Sequence, residues 1–358
     1  MGTPLSPYDA LRRIAYLLER SRAGTFRVKA FRAAAATALA TDPGELRSRA
    51  DAGTLSDLRG IGPATEAVIR EALEGKIPAY LTSLEDKAQE PLVAGGLEVR
   101  AALRGDLHSH SDWSDGGSSI QEMAVTAMDL GHQYQVLTDH SPRLRIANGL
   151  SSERLLQQLR VIEEINSAVG DFDLSKQGEF RLLKGIEVDI LDDGSLDQSV
   201  EMLSRLDLRV ASVHSKLAMS SAPMTRRMIA AVENPHTNVL GHCTGRLIEG
   251  ERGTRGQSSF DAAAVFAACA AHQVAVEINA RPERADPPDE LMILALDAGC
   301  LFSIDSDAHA PGQLDFLIYG CVRAERVGVP LDRIVNTWKM DRLLAWANPP
   351  EAARRFGD

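Results

Sequence analysis

The chain has 358 residues, of which 44% are hydrophobic and 25% charged, and its formal net charge is −11. This length and composition predict a globular protein of two domains and exclude a disordered or fibrous chain. No apolar run reaches the ~18–20 residues that span a bilayer, and the start of the chain lacks a secretory signal pattern. The four cysteines have no CxxC spacing, so we expect reduced thiols. Together, these features predict a cytoplasmic protein with no membrane partner.

The first 90 residues predict a helical domain, with breaks at glycines and prolines such as DPG (42–44) and GIGP (60–63). They hold 13 basic and 12 acidic residues, whereas residues 91–358 hold 26 and 38. The acidic balance of the whole chain argues against nucleic acid, but the first domain has a local basic cluster. The cluster comprises Arg20, Arg22, Arg27, Lys29 and Arg32. By itself, such a run fits either a solvated helix face or a contact with nucleic acid.

From residue 102 to about 345, short β-branched runs alternate with helical stretches, after a linker at 91–101 and before a tail at 346–358. Alternating βα units predict a parallel sheet covered by helices. The seven predicted strands are 103–110, 134–140, 181–190, 208–214, 237–242, 274–280 and 300–309. Seven units without a nucleotide-binding fingerprint favour an α/β fold of the closed or nearly closed (β/α)7 barrel type.

Six of the nine histidines lie at predicted strand ends, where a parallel barrel gathers its chemistry. The other three, His132, His236 and His272, lie in helix-to-strand junctions. We expect those three at the opposite pole of the barrel, in structural or solvent-exposed positions. Three carboxylates join the first group, and the nine predicted metal ligands are His108, His110, Asp115, His140, Glu187, His214, His242, Asp307 and His309.

Nine ligands exceed the four to six that one ion takes, so they predict two or three divalent ions with a bridging carboxylate. Imidazole and carboxylate without thiolate suit zinc, manganese or iron. Such a site attracts phosphate and lowers the pKa of a bound water toward ~7, which favours phosphoester hydrolysis. Of the ligands, we expect Asp115, Glu187, Asp307 and His309 to take part in catalysis.

Three cationic residues just past strands four, five and six, Lys216, Arg246 and Arg284, are candidate phosphate contacts. A surface ion pair is the alternative interpretation for each.

The barrel segment resembles the PHP (polymerase and histidinol phosphatase) domain, in the version found at the C-terminus of bacterial family X DNA polymerases. The resemblance covers about residues 102–345 and is carried by motifs in the family's order: GDLHSHSDWSDG, TDHS, ANGLS, GIEVDILDDGSLD, SVHSK, MTRRMIAAVENP, LGHCTGR, EINARPER and DSDAH. It implies a distorted (β/α)7 barrel with three metal ions, held by the nine residues above. The loop RPERADP (281–287) departs from the pattern usual in those polymerases.

The N-terminal segment resembles the small helical domain of the same polymerases, with LSDLRGIGPATEAVIREALEGK in the place of its helix-hairpin-helix. Gly60 and Gly62 permit a tight turn, Pro63 suits a first helical position, and the N–H groups beyond can bind a DNA phosphate. With Arg27, Lys29 and Arg32, these glycines form the predicted DNA contact. Only about fifteen residues connect the two parts, which leaves no room between them for a polymerase palm. Related domains with lyase activity place a Schiff-base lysine in the second hairpin helix. This chain has Val68 there and Ala64 one turn earlier, so the resemblance does not extend to the lyase nucleophile.

The sequence therefore predicts a metal-dependent phosphoesterase that acts on DNA ends, as a 3′→5′ exonuclease or a related repair enzyme. The alternative is a small-molecule phosphomonoesterase of the histidinol-phosphatase type, favoured by the acidic barrel and the altered loop. A third hypothesis, a DNA-binding module with an inert barrel, conflicts with the complete set of ligands. The sequence does not determine the metal, the polarity of cleavage or the oligomeric state.

Overall fold

The computed structural model describes residues 5–170, 180–250 and 253–349. The chain divides into two compact units, Met1–Leu92 and Val93–Asp358. Each unit is described by itself.

The first unit is helical and has a core of its own. Its helices are α1 (Pro7–Arg20), α2 (Thr25–Ala40), α3 (Pro43–Ala52), α4 (Pro63–Leu73) and α5 (Ala79–Ala88), with a 3-10 turn at Leu55–Asp57. The side chain of Ser6 accepts a hydrogen bond from Asp9 N, and Asp42 caps α3 in the same way. The core includes Leu11, Ile14, Leu18, Phe31, Leu55, Ile69 and Leu81. The apolar stripes of these helices thus bury one another without a sheet.

The GIG turn leads directly into α4. Gly60 has φ +87°, a conformation that favours glycine, and Thr37 Oγ1 on α2 donates a hydrogen bond to Arg59 O at 2.8 Å. Gly62 precedes Pro63, the first residue of the helix, and its N–H donates to Thr65 Oγ1 at 2.9 Å. The turn is therefore packed on α2 and presents the N-terminus of α4.

The second unit alternates strands and helices. The strands are β1 (Gly105–Ser109), β2 (Tyr134–Leu137), β3 (Arg181–Asp189), β4 (Leu208–Ser212), β5 (Val239–Leu240), β6 (Ala275–Asn279) and β7 (Leu301–Asp305). The helices are α6 (Leu97–Ala102), α7 (Ile120–Asp129), α8 (Ser152–Gly170), α9 (Val200–Leu203), α10 (Ser221–Val232), α11 (Ala262–Ala271), α12 (Asp289–Asp297), α13 (Leu317–Val327) and α14 (Met340–Ala347). Further 3-10 turns lie at Arg145–Ala147, Pro311–Phe316, Leu331–Arg333 and Val335–Thr337.

The seven strands form one parallel sheet in chain order, β1 to β7. Its edges meet where Ser109 pairs in parallel with Ala308, and His110 N donates to Ala308 O at 2.8 Å. The fold is therefore a nearly closed seven-stranded α/β barrel preceded by a helical region, which confirms the predicted fold class. In such a barrel the carboxyl ends of all strands share one rim.

The opposite end of the barrel is plugged by the segment before α14 and by α14 itself. Val335, Trp338 and Leu343 pack against inward residues of the strands. Tyr134 Oη donates to the carbonyl oxygens of Asn336 and Trp338 at 2.8 and 3.0 Å. The carboxyl-end rim is therefore the end of the barrel interior that remains available for a site.

Two predicted boundaries need correction. Residues 97–102, assigned to the linker, form α6, since Gly96 at φ +71° approaches Val322 closely and its N–H donates to Glu325 Oε2 at 2.7 Å. The last helix continues past 345 to Ala347, and residues 350–358 of the predicted tail lie outside the described residues. The four cysteines are buried and free. In the part of the chain that the structure describes, no helix is both long and apolar enough to cross a membrane.

Candidate metal centre

Six imidazoles form a continuous cluster at the carboxyl ends of the strands. His108 and His110 project from the same face of β1 because strand residues two apart share a face. Ring centroids lie 5.1 Å apart for His108 and His110, 4.2 Å for His110 and His309, and 4.4 Å for His110 and His140. His214 lies 5.2 Å from His140 and also 5.2 Å from His242. All six predicted strand-end histidines therefore come together.

Glu187, on β3, lies at the middle of this cluster and is almost completely buried. Its Oε2 lies 2.8 Å from His140 Nδ1 and 3.4 Å from His108 Nε2. Its Oε1 lies 2.9 Å from His242 Nε2 and 3.2 Å from His214 Nε2. One carboxylate thus reaches imidazoles that follow four different strands.

The other two carboxylates complete the cluster on the side of β7. Asp307 Oδ1 lies 3.4 Å from His110 Nε2 and 3.5 Å from His309 Nδ1. Asp115 Oδ1 lies 3.4 Å from His140 Nε2 and 3.3 Å from His309 Nε2. The side chains of Asp115 and His309 are 27% and 20% exposed, whereas those of His108 and Glu187 are 0% and 1% exposed. The Asp115–His309 side is therefore the solvent-facing side of the centre.

These donors fit a cluster of cations. Within the described residues, several buried atoms of the centre have no hydrogen-bond partner: His108 Nε2, both ring nitrogens of His110 and of His214, His140 Nδ1, His242 Nδ1 and Glu187 Oε2. Three overlapping groups have ligand atoms within 4.8 Å of one another: His110, Asp115, His140 and His309; His108, His110 and Glu187; and His140, Glu187 and His214. Unpaired buried polar atoms are costly, and divalent ions would satisfy them. Glu187 belongs to two groups, as a bridging carboxylate would.

The electrostatics of the centre keep its carboxylates ionised. Burial opposes the charge of Glu187, but His214, His108 and His140 outweigh it and hold the pKa of Glu187 well below its usual value. Burial likewise opposes the charge of Asp307, whose pKa is nevertheless lowered by the imidazole of His110, 3.4 Å away, and by the nearby charges of His108 and Arg284. The pKa of His110 is lowered to about 3 by burial and by the charges of His309 and His140. Glu187 and other nearby carboxylates outweigh burial and raise the pKa values of His108, His140 and His214, so a metal ion would have to displace protons from these imidazoles on binding.

Sequence reasoning missed two residues that contact the cluster, one from its buried side and one from its solvent-facing side. Glu277 Oε1 on β6 lies 2.5 Å from His108 Nδ1, and its Oε2 accepts hydrogen bonds from His242 N at 2.5 Å and Asn279 Nδ2 at 3.2 Å. Arg281 Nη1 lies 3.0 Å from His309 Nδ1. A carboxylate within the apolar strand VAVEINA was the available signal for Glu277, because a buried charge needs a partner.

The predicted substrate contacts are differently placed. Arg284 is the one nearest the centre, and its Nε donates to Asp307 Oδ2 at 3.2 Å. Arg246 lies in the loop after β5 and donates to the carbonyl oxygens of Arg284 and Ala285 in the loop after β6. Lys216 is exposed and pairs with Asp192. Arg284 and Arg246 therefore hold the loop after β6, and Lys216 remains at the rim.

In the first unit, one predicted DNA contact takes part in an ion pair. Arg32 donates two 2.8 Å hydrogen bonds from Nε and Nη2 to the buried carboxylate of Glu19, and its side chain is 15% exposed. The sequence pattern could not separate it from its neighbours because Glu19 is thirteen residues away. Arg27 and Lys29 lie exposed on α2.

The three junction histidines lie away from the cluster. His132 and His236 are buried beside β2 and β5, at 4% and 6% exposure, and His272 is the exposed C-terminal cap of α11. His132 Nδ1 lies 3.2 Å from Gln135 Oε1.

Comparison with known families matches both units. A helix-hairpin-helix domain matches residues 6–76, and a PHP domain matches residues 106–281. The chain is 37% identical over 234 residues to the DNA polymerase/3′-5′ exonuclease PolX of Bacillus subtilis (strain 168), a match that covers 65% of this chain and 39% of that protein. The chain thus spans about two fifths of the length of that relative. The probable phosphatase YcdX of Escherichia coli (strain K12) is 27% identical over 241 residues, 64% of this chain and 89% of that protein.

Among solved structures, the chain is similar to histidinol phosphate phosphatase (HISK) from Lactococcus lactis subsp. lactis Il1403, crystallised with zinc, L-histidinol and phosphate. The TM-score is 0.45 at 17% sequence identity, over 63% of this chain and 94% of that chain.

Proposed function

We propose that the chain hydrolyses DNA phosphodiesters at strand ends, because residues 106–281 match a PHP domain and residues 6–76 match a helix-hairpin-helix domain. The proposed activity is that of a 3′→5′ exonuclease or a related end-processing enzyme of DNA repair. One observation carries it: a cluster of side chains that could hold metal ions and a helix-hairpin-helix domain occur in the same chain. The name of the Bacillus relative, which joins polymerase and 3′-5′ exonuclease, supports it.

The nine clustered residues are the proposed metal ligands, and we assign different roles to the residues at the middle of the cluster and on its solvent-facing side. Bound divalent ions would lower the pKa of a coordinated water and polarise the phosphoryl oxygens. Glu187, which reaches imidazoles from four strands, would fix the spacing of the ions. Asp115 and His309, on the solvent-facing side, would meet the substrate, and Arg281 beside His309 would attract its negative charge. Arg284 would orient Asp307.

The first unit would supply affinity for the DNA backbone. N–H groups at a helix start have no intrahelical partner and can bind phosphate, and the GIG turn offers the start of α4 for this purpose. Arg27 and Lys29 are exposed on α2, the helix against which that turn packs. Their charges would release counterions from DNA on binding, which makes affinity depend on salt.

The test measures duplex DNA binding by the full chain across a salt series. We expect Arg27→Glu with Lys29→Glu to weaken binding and to lower the slope of log affinity against log salt by about 2, since each contact contributes roughly 0.9. Lys87→Glu, on the exposed side of α5, is the control for a change of charge in the same unit and should keep the slope. Equal slopes in all three proteins would remove these residues from the DNA interface.

A small-molecule phosphomonoesterase is the second candidate. The match to the probable phosphatase YcdX covers 89% of that protein, and the charge of Arg32 in the predicted DNA contact is paired with that of Glu19. On this alternative, the full chain would hydrolyse phosphomonoesters far faster than any oligonucleotide. A substrate panel with manganese and with zinc distinguishes the two.

A further inference from the structure

We propose that the loop between β2 and α8, residues 141–150, is a docking edge for a nucleic-acid strand beside the metal centre. Arg143 and Arg145 would bind the phosphate next to the scissile one, and Ile146 would contact the base of that nucleotide. The inference rests on the proposed function and deepens it, because it names the feature that selects a polymer over a small phosphoester.

The loop is attached to the centre at both of its ends. It begins directly after His140, and Ser141 N donates to Glu187 O at 3.0 Å. At its other end, Leu150 N donates to His140 O at 2.7 Å. Both ends of the loop are therefore anchored at the rim that carries the proposed ligands, where the nucleotide next to the scissile phosphate would pass.

The side chains at the tip of the loop face solvent. Arg143 and Arg145 are exposed, and Ile146 is 96% exposed. Among the residues that the structure describes, neither guanidinium forms a hydrogen bond or an ion pair. With Pro142 and Asp197 they line a cavity of about 420 Å³, which is within the range of small-ligand sites. Two unengaged planar guanidinium groups beside a phosphoesterase centre match the geometry of phosphate.

The backbone of the loop is fixed even though its tip is exposed. Asp197 Oδ2 accepts from Ser141 Oγ at 3.1 Å and from Arg143 N at 2.5 Å. Arg154 donates to Asn148 O at 2.7 Å and also reaches Trp113 O on the loop after β1. A side chain at position 149 would collide with the Ser141 carbonyl oxygen. The loop therefore presents its arginines at little cost in backbone entropy on binding.

The carboxylates near the loop have partners of their own, which leaves Arg143 and Arg145 available to an incoming phosphate. Two carboxylates lie near the arginines, and both are engaged: Asp197 accepts hydrogen bonds from Ser141 Oγ and Arg143 N, and Asp192 accepts one from Lys216. The hydrogen bond from Lys216 lowers the pKa of Asp192, and the charges of Lys216, Arg227 and Arg143 lower it further. A phosphomonoester can place its one phosphate in the metal centre and has none left for Arg143 and Arg145. A nucleic-acid strand brings a second phosphate, which Arg143 and Arg145 would bind, and a base, which Ile146 would contact.

The test compares kcat/KM on single-stranded oligothymidylates of two and six nucleotides with kcat/KM on bis-p-nitrophenyl phosphate. For the full-length metal-loaded protein carrying Arg143→Ala and Arg145→Ala, we expect the ratio of oligonucleotide to small diester to fall about tenfold. We expect the salt dependence of the hexamer reaction to flatten by about 1.4 in log–log slope, at roughly 0.7 per contact. Ile146→Ser should lower the ratio without a change in the slope.

Arg181→Ala is the matched control, since Arg181 is an exposed arginine at the start of β3, the other end of the barrel. It should keep both the ratio and the slope. If the double variant also keeps both while the wild-type protein cuts the hexamer, this inference is overturned and the proposed function stands. If the wild-type protein hydrolyses phosphomonoesters and leaves both oligonucleotides intact, the proposed function fails and the inference with it.

Discussion

Replacement of Glu277 by glutamine should weaken metal binding although Glu277 is not among the proposed ligands. Both of its carboxylate oxygens are used: Oε1 faces His108 Nδ1 at 2.5 Å, and Oε2 accepts from His242 N at 2.5 Å. Glutamine has a single acceptor oxygen, so its amide nitrogen must face one of these two donors. The imidazole of His108 or the backbone that carries His242 would then lose its support.

The magnitude follows from that lost acceptor. A buried donor left without a partner costs about 1–3 kcal/mol, and partners that orient metal-bound histidines are worth 10–100-fold in metal affinity. We therefore expect affinity to fall about 30-fold, which corresponds to about 2 kcal/mol at 1.4 kcal/mol per factor of ten.

The assay is competition for zinc against a chromogenic chelator at pH 7.5, with wild type, Glu277→Gln and Glu163→Gln. Glu163 on α8 pairs with Lys184 at the surface, so its variant is the control for the same chemical change and should bind zinc like wild type. Thermal unfolding of the metal-free proteins separates a loss of affinity from a loss of fold. Zinc affinity of Glu277→Gln within threefold of wild type would refute the reasoning.

Three further predictions concern metal content, catalysis and acid stability. Elemental analysis should find two to three transition-metal ions per chain; one ion or none would contradict a multinuclear centre. Asp307→Asn should abolish hydrolysis with little change in circular dichroism, because it removes a charged donor, whereas His272→Ala should retain turnover and metal. Burial lowers the pKa of His132 to about 4, so the unfolded chain binds its proton first as the pH falls below 6.5. Between pH 7.5 and 4.5, unfolding free energy should therefore fall by about 2.5 kcal/mol more in wild type than in His132→Gln; parallel profiles would exclude this role.

The barrel was predictable because its signals are local. Apolar runs separated by helical stretches predicted all seven strands, and their shared rim predicted that the histidines after β1, β2, β4, β5 and β7 would meet. The strand ends were less accurate. The run 237–242 forms only the two-residue strand Val239–Leu240, and the extended conformation is lost by His242, which has φ +20°.

What could not be predicted depends on distant partners. Glu277 looked like one more strand residue, since its partners His108 and His242 are 169 and 35 positions away. Arg32 looked like one more basic residue until Glu19 was found beside it. The helix at 97–102 depends on Gly96 packing against Val322, more than two hundred residues later. Sequence spacing predicts which residues share one face of a helix or strand. It does not predict which side chain from a distant helix or strand will contact that face.

The most direct test of the proposed function follows a 5′-labelled single-stranded oligonucleotide during incubation with the full chain, first stripped of metal and then reloaded with manganese or zinc. The account predicts a ladder of products that shorten one nucleotide at a time from the 3′ end, only after reloading and not with His108→Ala. An intact oligonucleotide under conditions where the same preparation releases phosphate from phosphomonoesters would contradict it.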